Sequence, residues 1–209
     1  MSEPTHQGLL PQQELPPHRD PAQWGRLVDR LEIPVILVAI SGAMGHRLKQ
    51  ELTPEDIWQE TLAMAWRDRD AHEWRGLRGF RAWLLGIAKN RILDAADYMG
   101  AQKRGGNDRT DRFSAILASG DGSIGAHLPP GSTTPSRIAG NRERAVAMEE
   151  ALGELPEKLG GVVRLRLFEE LPMRVVAERL GIGLTTANER FFRGASLYQS
   201  CLERRLGDR

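Results

Sequence analysis

Leu180-Gly181-Ile182-Gly183-Leu184-Thr185-Thr186-Ala187-Asn188-Glu189-Arg190-Phe191-Phe192-Arg193 is the stretch on which the reading of the chain turns. Ahead of it, Met173 to Leu180 carries apolar Val176, Ala177 and Leu180 at helical spacing. Gly181 supplies a residue that leaves a helix with positive φ at little steric cost. A second helical pattern restarts at once, and Thr186 with Glu189 three residues on has the form of a capping box near its start. Two helices joined by a short Gly-containing turn make a helix-turn-helix, whose second helix can enter a DNA major groove. An ordinary αα-corner with a solvated second helix is the alternative. The upstream segments decide between them.

Every regular element ahead of this motif also reads as helical. Asn141 to Leu155 places Ala145, Met148, Leu152 and Leu155 on one face, and Pro156 starts a further helix with apolar Val162, Val163, Leu165, Leu167 and Phe168. Residues 105–140 change to Gly, Ser, Thr, Asp, Asn and Pro without sustained periodicity, the composition of a flexible linker. Within it Gly120-Asp121-Gly122-Ser123-Ile124-Gly125 matches the dinucleotide pattern G-x-G-x-x-G. That motif needs a strand before it and a helix after it, and the following Ala126-His127-Leu128-Pro129-Pro130 opens no such helix.

The first block, 20–104, starts on Asp20-Pro21, a side-chain cap followed by Pro at the first helical position. Trp24, Leu27, Val28 and Leu31 form its stripe, Pro34 marks a kink or a new start, and Val35 to Ile40 is an apolar run suited to a buried helix. Thr53-Pro54-Glu55-Asp56 opens the next helix, which extends to about Asp70. Its Ile57, Trp58, Thr61, Leu62, Ala65 and Trp66 point inward, while Asp56, Gln59, Glu60 and Ala63 share the outer side. Arg75 to Gly79 reads as a loop. Phe80 to Tyr98 then forms a long helix with Phe80, Trp83, Leu84, Ile87 and Ala88 on the packed stripe and Asn90, Asp94 and Asp97 on one polar line.

The fold class is therefore all-α: two small helical domains, 20–104 and 141–209, joined by a flexible linker, with the helix-turn-helix in the second. Residues 1–19, rich in Pro, Gln and Glu near the start, read as a disordered tail with no secretory pattern. Over 209 residues, 27% charged and 40% hydrophobic, this is soluble globular composition. The longest apolar run falls far short of the roughly 18 residues a membrane span needs. Lys and Arg number 29 against 28 acids, a net charge of +1. A self-sufficient nucleic-acid binder is usually more basic, so DNA contact is expected within a larger assembly. The single cysteine, Cys201, excludes an internal disulfide and a thiolate zinc cluster. It suits a reducing cytoplasm and reads as a small hydrophobe of the last helix.

Two blocks carry a family resemblance. Asp56-Ile57-Trp58-Gln59-Glu60-Thr61-Leu62-Ala63-Met64-Ala65-Trp66 and Phe80-Arg81-Ala82-Trp83-Leu84-Leu85-Gly86-Ile87-Ala88-Lys89-Asn90-Arg91-Ile92-Leu93-Asp94 resemble region two of the extracytoplasmic-function sigma factors of RNA polymerase. Leu155 through Ala195 is similar to region four of the same family. The resemblance implies a sigma factor that docks on the β′ coiled coil of core RNA polymerase, reads two elements of promoter DNA and assists opening of the duplex.

Asp56, Gln59, Glu60 and Ala63 are then the polymerase-binding residues, an acid-amide patch suited to a basic partner helix. At the minus-ten element Arg81 and Lys89 steer phosphates, Asn90 hydrogen-bonds exposed bases and Asp94 shares its line; unstacked bases are captured near this helix and its preceding loop. Thr185, Thr186, Asn188, Glu189, Arg190 and Arg193 face the minus-thirty-five element, where Arg can pair with guanine, Asn with adenine and Glu with cytosine. Asp97 stands where relatives carry Arg, Gly183 where they carry Ser or Thr, and Asn188-Glu189 where they carry Lys-Ser. An anti-sigma factor is a further partner that the resemblance brings with it. An autonomous helix-turn-helix regulator is the alternative function. His46, His72 and Glu73 match no catalytic motif, so no enzyme, cofactor or metal is expected.

Overall fold

A computed structural model describes residues 16–102 and 135–207, and every regular element among them is helical. The dinucleotide-like Gly120–Gly125 string, most of the expected linker, residues 1–15 and the end of the first block at 103–104 lie outside the described residues.

α1 (Pro21–Asp29) is capped as its sequence predicts, with Asp20 Oδ1 accepting from the Ala22 amide at 2.8 Å. α2 (Ile33–Ala43) starts anew at Pro34 and buries nearly every residue, which is what a helix apolar on all sides must do. It is the hub of the fold, with α4, α5 and the second block packed around it. A short α3 (Leu48–Glu51) leads to α4 (Pro54–Arg67), whose N-terminus is a complete capping box. There Thr53 Oγ1 accepts from the Asp56 amide at 3.2 Å and Asp56 Oδ2 accepts from the Thr53 amide at 2.8 Å. Ile57, Trp58, Thr61, Leu62 and Ala65 are buried, and Trp66 is half-buried.

α5 (Gly76–Gln102) begins four residues earlier than expected: the loop assigned to Arg75–Gly79 is its first turn, entered through Gly76 at φ +77°. α6 (Pro135–Gly153) likewise starts before Asn141, so residues 135–140 are helix rather than linker. α7 (Glu157–Val163) widens into a π-type turn over Arg164–Phe168. This turn carries Leu165 and Leu167 toward the surface while keeping Phe168 buried.

α8 (Met173–Arg179) ends as the sequence requires. Gly181 sits at φ +62°, its amide donates to Glu178 O at 3.1 Å, and the Ile182 amide donates to Ala177 O at 3.0 Å. These are the two bonds of a Schellman C-cap. α9 (Leu184–Gly207) starts two residues before the expected cap, and the Ala187 amide donates to Gly183 O. Thr186 lies inside the first turn, so the capping box assigned to Thr186 and Glu189 is not formed there. Gly194 lets α9 lie directly on α7: a Cβ there would meet Val163 Cγ2 at 2.7 Å and Leu159 O at 3.3 Å. Gly194→Ala is accordingly expected to lower the unfolding free energy by about 1–3 kcal/mol in a urea titration. Cys201 is buried on the same face, and burial pushes its thiol up.

The two helical blocks share one continuous buried core that runs from Trp24 and Ile36 through Leu152 and Val163 to Tyr198. Ion pairs cross between them at Asp29–Arg137, Glu55–Arg142 and Arg81–Glu170. Arg164 of the π turn lies against Gly42 at the end of α2.

Candidate functional site

The first candidate face is the outer side of α4. Asp56, Gln59, Glu60 and Ala63 fall on one line at i, i+3, i+4 and i+7, but they are not equally available. Asp56 and Gln59 are exposed, whereas Glu60 and Ala63 are half-buried. Asp56 also holds the capping box, accepting a second hydrogen bond from Thr53 Oγ1 at 2.7 Å. Glu60 is turned inward to Arg91 of α5, whose Nε donates to Glu60 Oε2 at 2.9 Å and whose Nη2 donates to the same oxygen. The side chains are 9% exposed for Arg91 and 15% for Glu60, so this pair fixes α4 to α5. Of the expected acid-amide patch, Asp56 and Gln59 are therefore the exposed members, and Glu60 is engaged within the fold. A small cleft beside Gln59 is closed on one side by Ile138 and Asn141 of α6.

The second face lies along α5. Lys89, Asn90 and Asp94 are exposed on one side of the helix, while Phe80, Leu84, Ala88, Ile92 and Ala95 are buried on the other. Asp94 Oδ2 lies 3.7 Å from Arg91 Nη1. Arg81 does not join this face. Its guanidinium is buried between the blocks, where Nη1 donates to Glu170 Oε1 at 2.7 Å and Nη2 lies 3.4 Å from Phe168 O. The phosphate-steering role expected for Arg81 is therefore not available in this arrangement. Trp83 is half-buried and stacks on His72, with ring centroids 4.1 Å apart and planes at 9°.

The loop ahead of α5 is built around that ring pair. It makes a single 3-10 turn over Arg69–Ala71 with no buried residue of its own. Burial holds both His72 and His18 below the ordinary imidazole range, with the neighbouring Arg19 guanidinium acting in the same direction. Burial thus favours the neutral form of both rings.

The third face is the start of α9. Thr185, Glu189 and Arg193 are exposed, whereas Thr186, Asn188 and Arg190 are half-buried. Asn188 Nδ2 donates to Leu184 O at 3.0 Å, so its amide is turned onto the helix backbone. Bidentate pairing with adenine uses both amide groups, and this hydrogen bond has to break first. Sequence reading passed over Phe192, which is 71% exposed between Glu189 and Arg193. The signal was its offset of five residues from buried Ala187, which turns it to the outer side of the helix.

Residues 38–99 match the family model for sigma-70 region 2. Those residues run from the middle of α2 through α4 and most of α5, so they include both first-block faces. The chain is also 26% identical over 145 residues to the ECF RNA polymerase sigma factor SigW of Bacillus subtilis (strain 168), covering 67% of this chain and 70% of SigW. That alignment is longer than the region 2 segment alone. The region 2 match and the 26% identity to an ECF sigma factor together support a sigma factor of the extracytoplasmic-function type.

Proposed function

We propose that this sigma factor acts in the cytoplasm, docks on the β′ coiled coil of core polymerase through the outer side of α4, and reads promoter DNA through α5 and α9. The observation that carries the proposal is the exposure of Lys89, Asn90 and Asp94 along α5 while its opposite side is locked to α4 through Arg91 and Glu60. A rigid helix with one free polar edge can present an amide and an ammonium to an opened strand. Gln59 and Asp56 supply the exposed polar part of the docking side. Thr185, Glu189 and Arg193 supply the readers of the minus-thirty-five element, with Arg190 and Asn188 at its margin. Residues 20–104 and 141–209 act as the two DNA-reading domains. An anti-sigma factor, a protein that would cover these faces, fits the exposed Leu184 and Phe192 of α9.

The test is a mobility shift on a selected promoter fragment with and without core enzyme, followed by run-off transcription and permanganate footprinting. A chain of net charge +1 releases few counterions, so alone it should bind weakly at physiological salt. Core polymerase should bring tight binding and reactive thymines. Arg193→Ala should then weaken the complex by about 1–3 kcal/mol if it reads a base, and half-buried Arg190→Ala by less. Tight binding by the isolated chain, with no opening on addition of core, would instead identify an autonomous regulator.

A further inference from the structure

The residues just ahead of α1 are not tail. Residues 16–19 form a turn closed by the Arg19 amide donating to Pro16 O at 2.8 Å, and it delivers His18 into the core at 0% exposure. His18 Nε2 donates to His72 O at 3.0 Å. Arg19 Nη2 donates to Asp70 O at 2.7 Å and to His72 O at 3.2 Å. Two side chains at positions 18 and 19 thus hold two carbonyls of the loop that precedes α5. The rings reinforce the grip. His18 stacks on Trp74 at 5.5 Å and 11°, and meets His72 edge-on at 5.2 Å. His72 in turn stacks on Trp83 of α5.

At its start the loop is tied to α4 by Arg69, whose Nη1 donates to Trp66 O at 2.6 Å and whose guanidinium lies 3.9 Å over the Trp66 ring. Its 3-10 turn buries nothing, and the Glu73–Arg75 ion pair is solvent-exposed on both sides. The Asp70 and His72 carbonyls are held from outside the loop, by a segment upstream of the matched region 2. We infer that His18 and Arg19 are positioning residues for promoter opening, strapping the 68–75 loop into the shape in which it takes an unstacked base. The inference rests on the reading of α5 and its preceding loop as the minus-ten surface.

The strap carries a pH dependence. With Nε2–H on the carbonyl, His18 keeps Nδ1 bare, and that atom is buried without a hydrogen-bond partner, as is His72 Nε2. Protonating either ring adds a charge at a site that burial desolvates. Of the groups facing His18, the Arg19 guanidinium disfavours its charged form, while the backbone carbonyls of His72 and Arg69 and the Asp70 carboxylate favour it. Those facing His72 are His18, Arg75 and Arg19 against, and Glu73 in favour. Burial outweighs the favourable contributions at both rings. Both imidazoles titrate below their unfolded value, so the strap is intact above about pH 6.5 and is lost as pH falls through the lower folded values.

The test uses holoenzyme reconstituted with the full chain, reading permanganate reactivity at the minus-ten element at pH 7.5 and 5.5, with core affinity and urea midpoint measured in parallel. Arg19→Ala and His18→Ala should each reduce opening about tenfold at pH 7.5, the order expected for losing a charge-assisted or buried hydrogen bond at the loop, with core affinity unchanged. Arg19→Lys, which keeps one donor, should restore part of it. His18→Gln keeps a donor and does not titrate, so it should open like wild type at pH 7.5 and lose less at pH 5.5. Where His18→Ala lowers the urea midpoint, the half-buried Arg19 pair carries the comparison. Wild-type opening in Arg19→Ala would overturn the positioning role, and an acid loss in His18→Gln equal to wild type would overturn the part of the pH dependence assigned to His18. Absence of opening by wild-type holoenzyme would instead sink the promoter-reading assignment itself.

Discussion

Glu60→Ala is expected to lower the unfolding free energy by about 3–5 kcal/mol, because it strands the Arg91 guanidinium, 9% exposed, without its carboxylate. Asp94, 3.7 Å from Arg91 Nη1, brings the figure to the lower end of that range. Its neighbours on the same helix line should behave differently. Asp56→Ala removes half of a capping box, about 1 kcal/mol. Gln59→Ala, at an exposed position, should fall within about 0.5 kcal/mol of wild type. Urea titrations of the three variants separate what the line does for the fold from what it does for a partner. Gln59→Arg is then the clean docking test, since it reverses the character of the face without touching the pair or the cap. It should abolish capture of core polymerase at an unchanged urea midpoint. Wild-type capture by Gln59→Arg would remove the docking role from α4.

This series differs from what sequence alone would prescribe, and the difference shows where legibility ended. Local signals were readable because each is complete within a few residues. Asp20-Pro21, Thr53-Pro54 with Asp56, and Gly181 each specify a helix end, and each forms the predicted cap. The stripes of α1 and α4 were equally legible, since burial follows the 3.6-residue period. Gly76 and Gly79 misled, because two glycines in four residues suggest a loop while tertiary packing carries α5 through them. The candidate site failed in a different way. Sequence marks Glu60 and Arg81 as charged and gives no partner for either. Arg91 lies 31 residues from Glu60 and Glu170 lies 89 from Arg81, distances set only by how helices pack. His18 was invisible for the same reason: its loop partners stand 54 residues away in His72 and beyond.

The pair that joins the two blocks should prove asymmetric. Arg81 is 10% exposed at its side chain and Glu170 is 33% exposed, so removing each leaves a different remainder. Glu170→Ala leaves a buried cation facing only the Phe168 carbonyl, and should cost about 3 kcal/mol. Arg81→Met leaves a carboxylate that water can reach and fills the same space with apolar atoms, so it should lie within about 1 kcal/mol of wild type. Glu170 adds a second term. It stands at φ +53° among the described residues, a left-handed conformation that disfavours any residue with a Cβ by roughly 1–2 kcal/mol. Glu170→Gly removes the same carboxylate and relieves that strain, so it should recover about 1 kcal/mol relative to Glu170→Ala. The expected order of urea midpoints is Arg81→Met, then Glu170→Gly, then Glu170→Ala. Equal losses in Arg81→Met and Glu170→Ala would mean that the pair is net stabilising rather than a charge that must not be orphaned. The order also bears on DNA. For Arg81 to meet a promoter phosphate, Glu170 has to release it, and the blocks have to part at the very contact that buries the guanidinium. A phosphate contact from Arg81 therefore competes with the packed arrangement, and its loss in Arg81→Met should weaken promoter complexes only in the state where the blocks have separated.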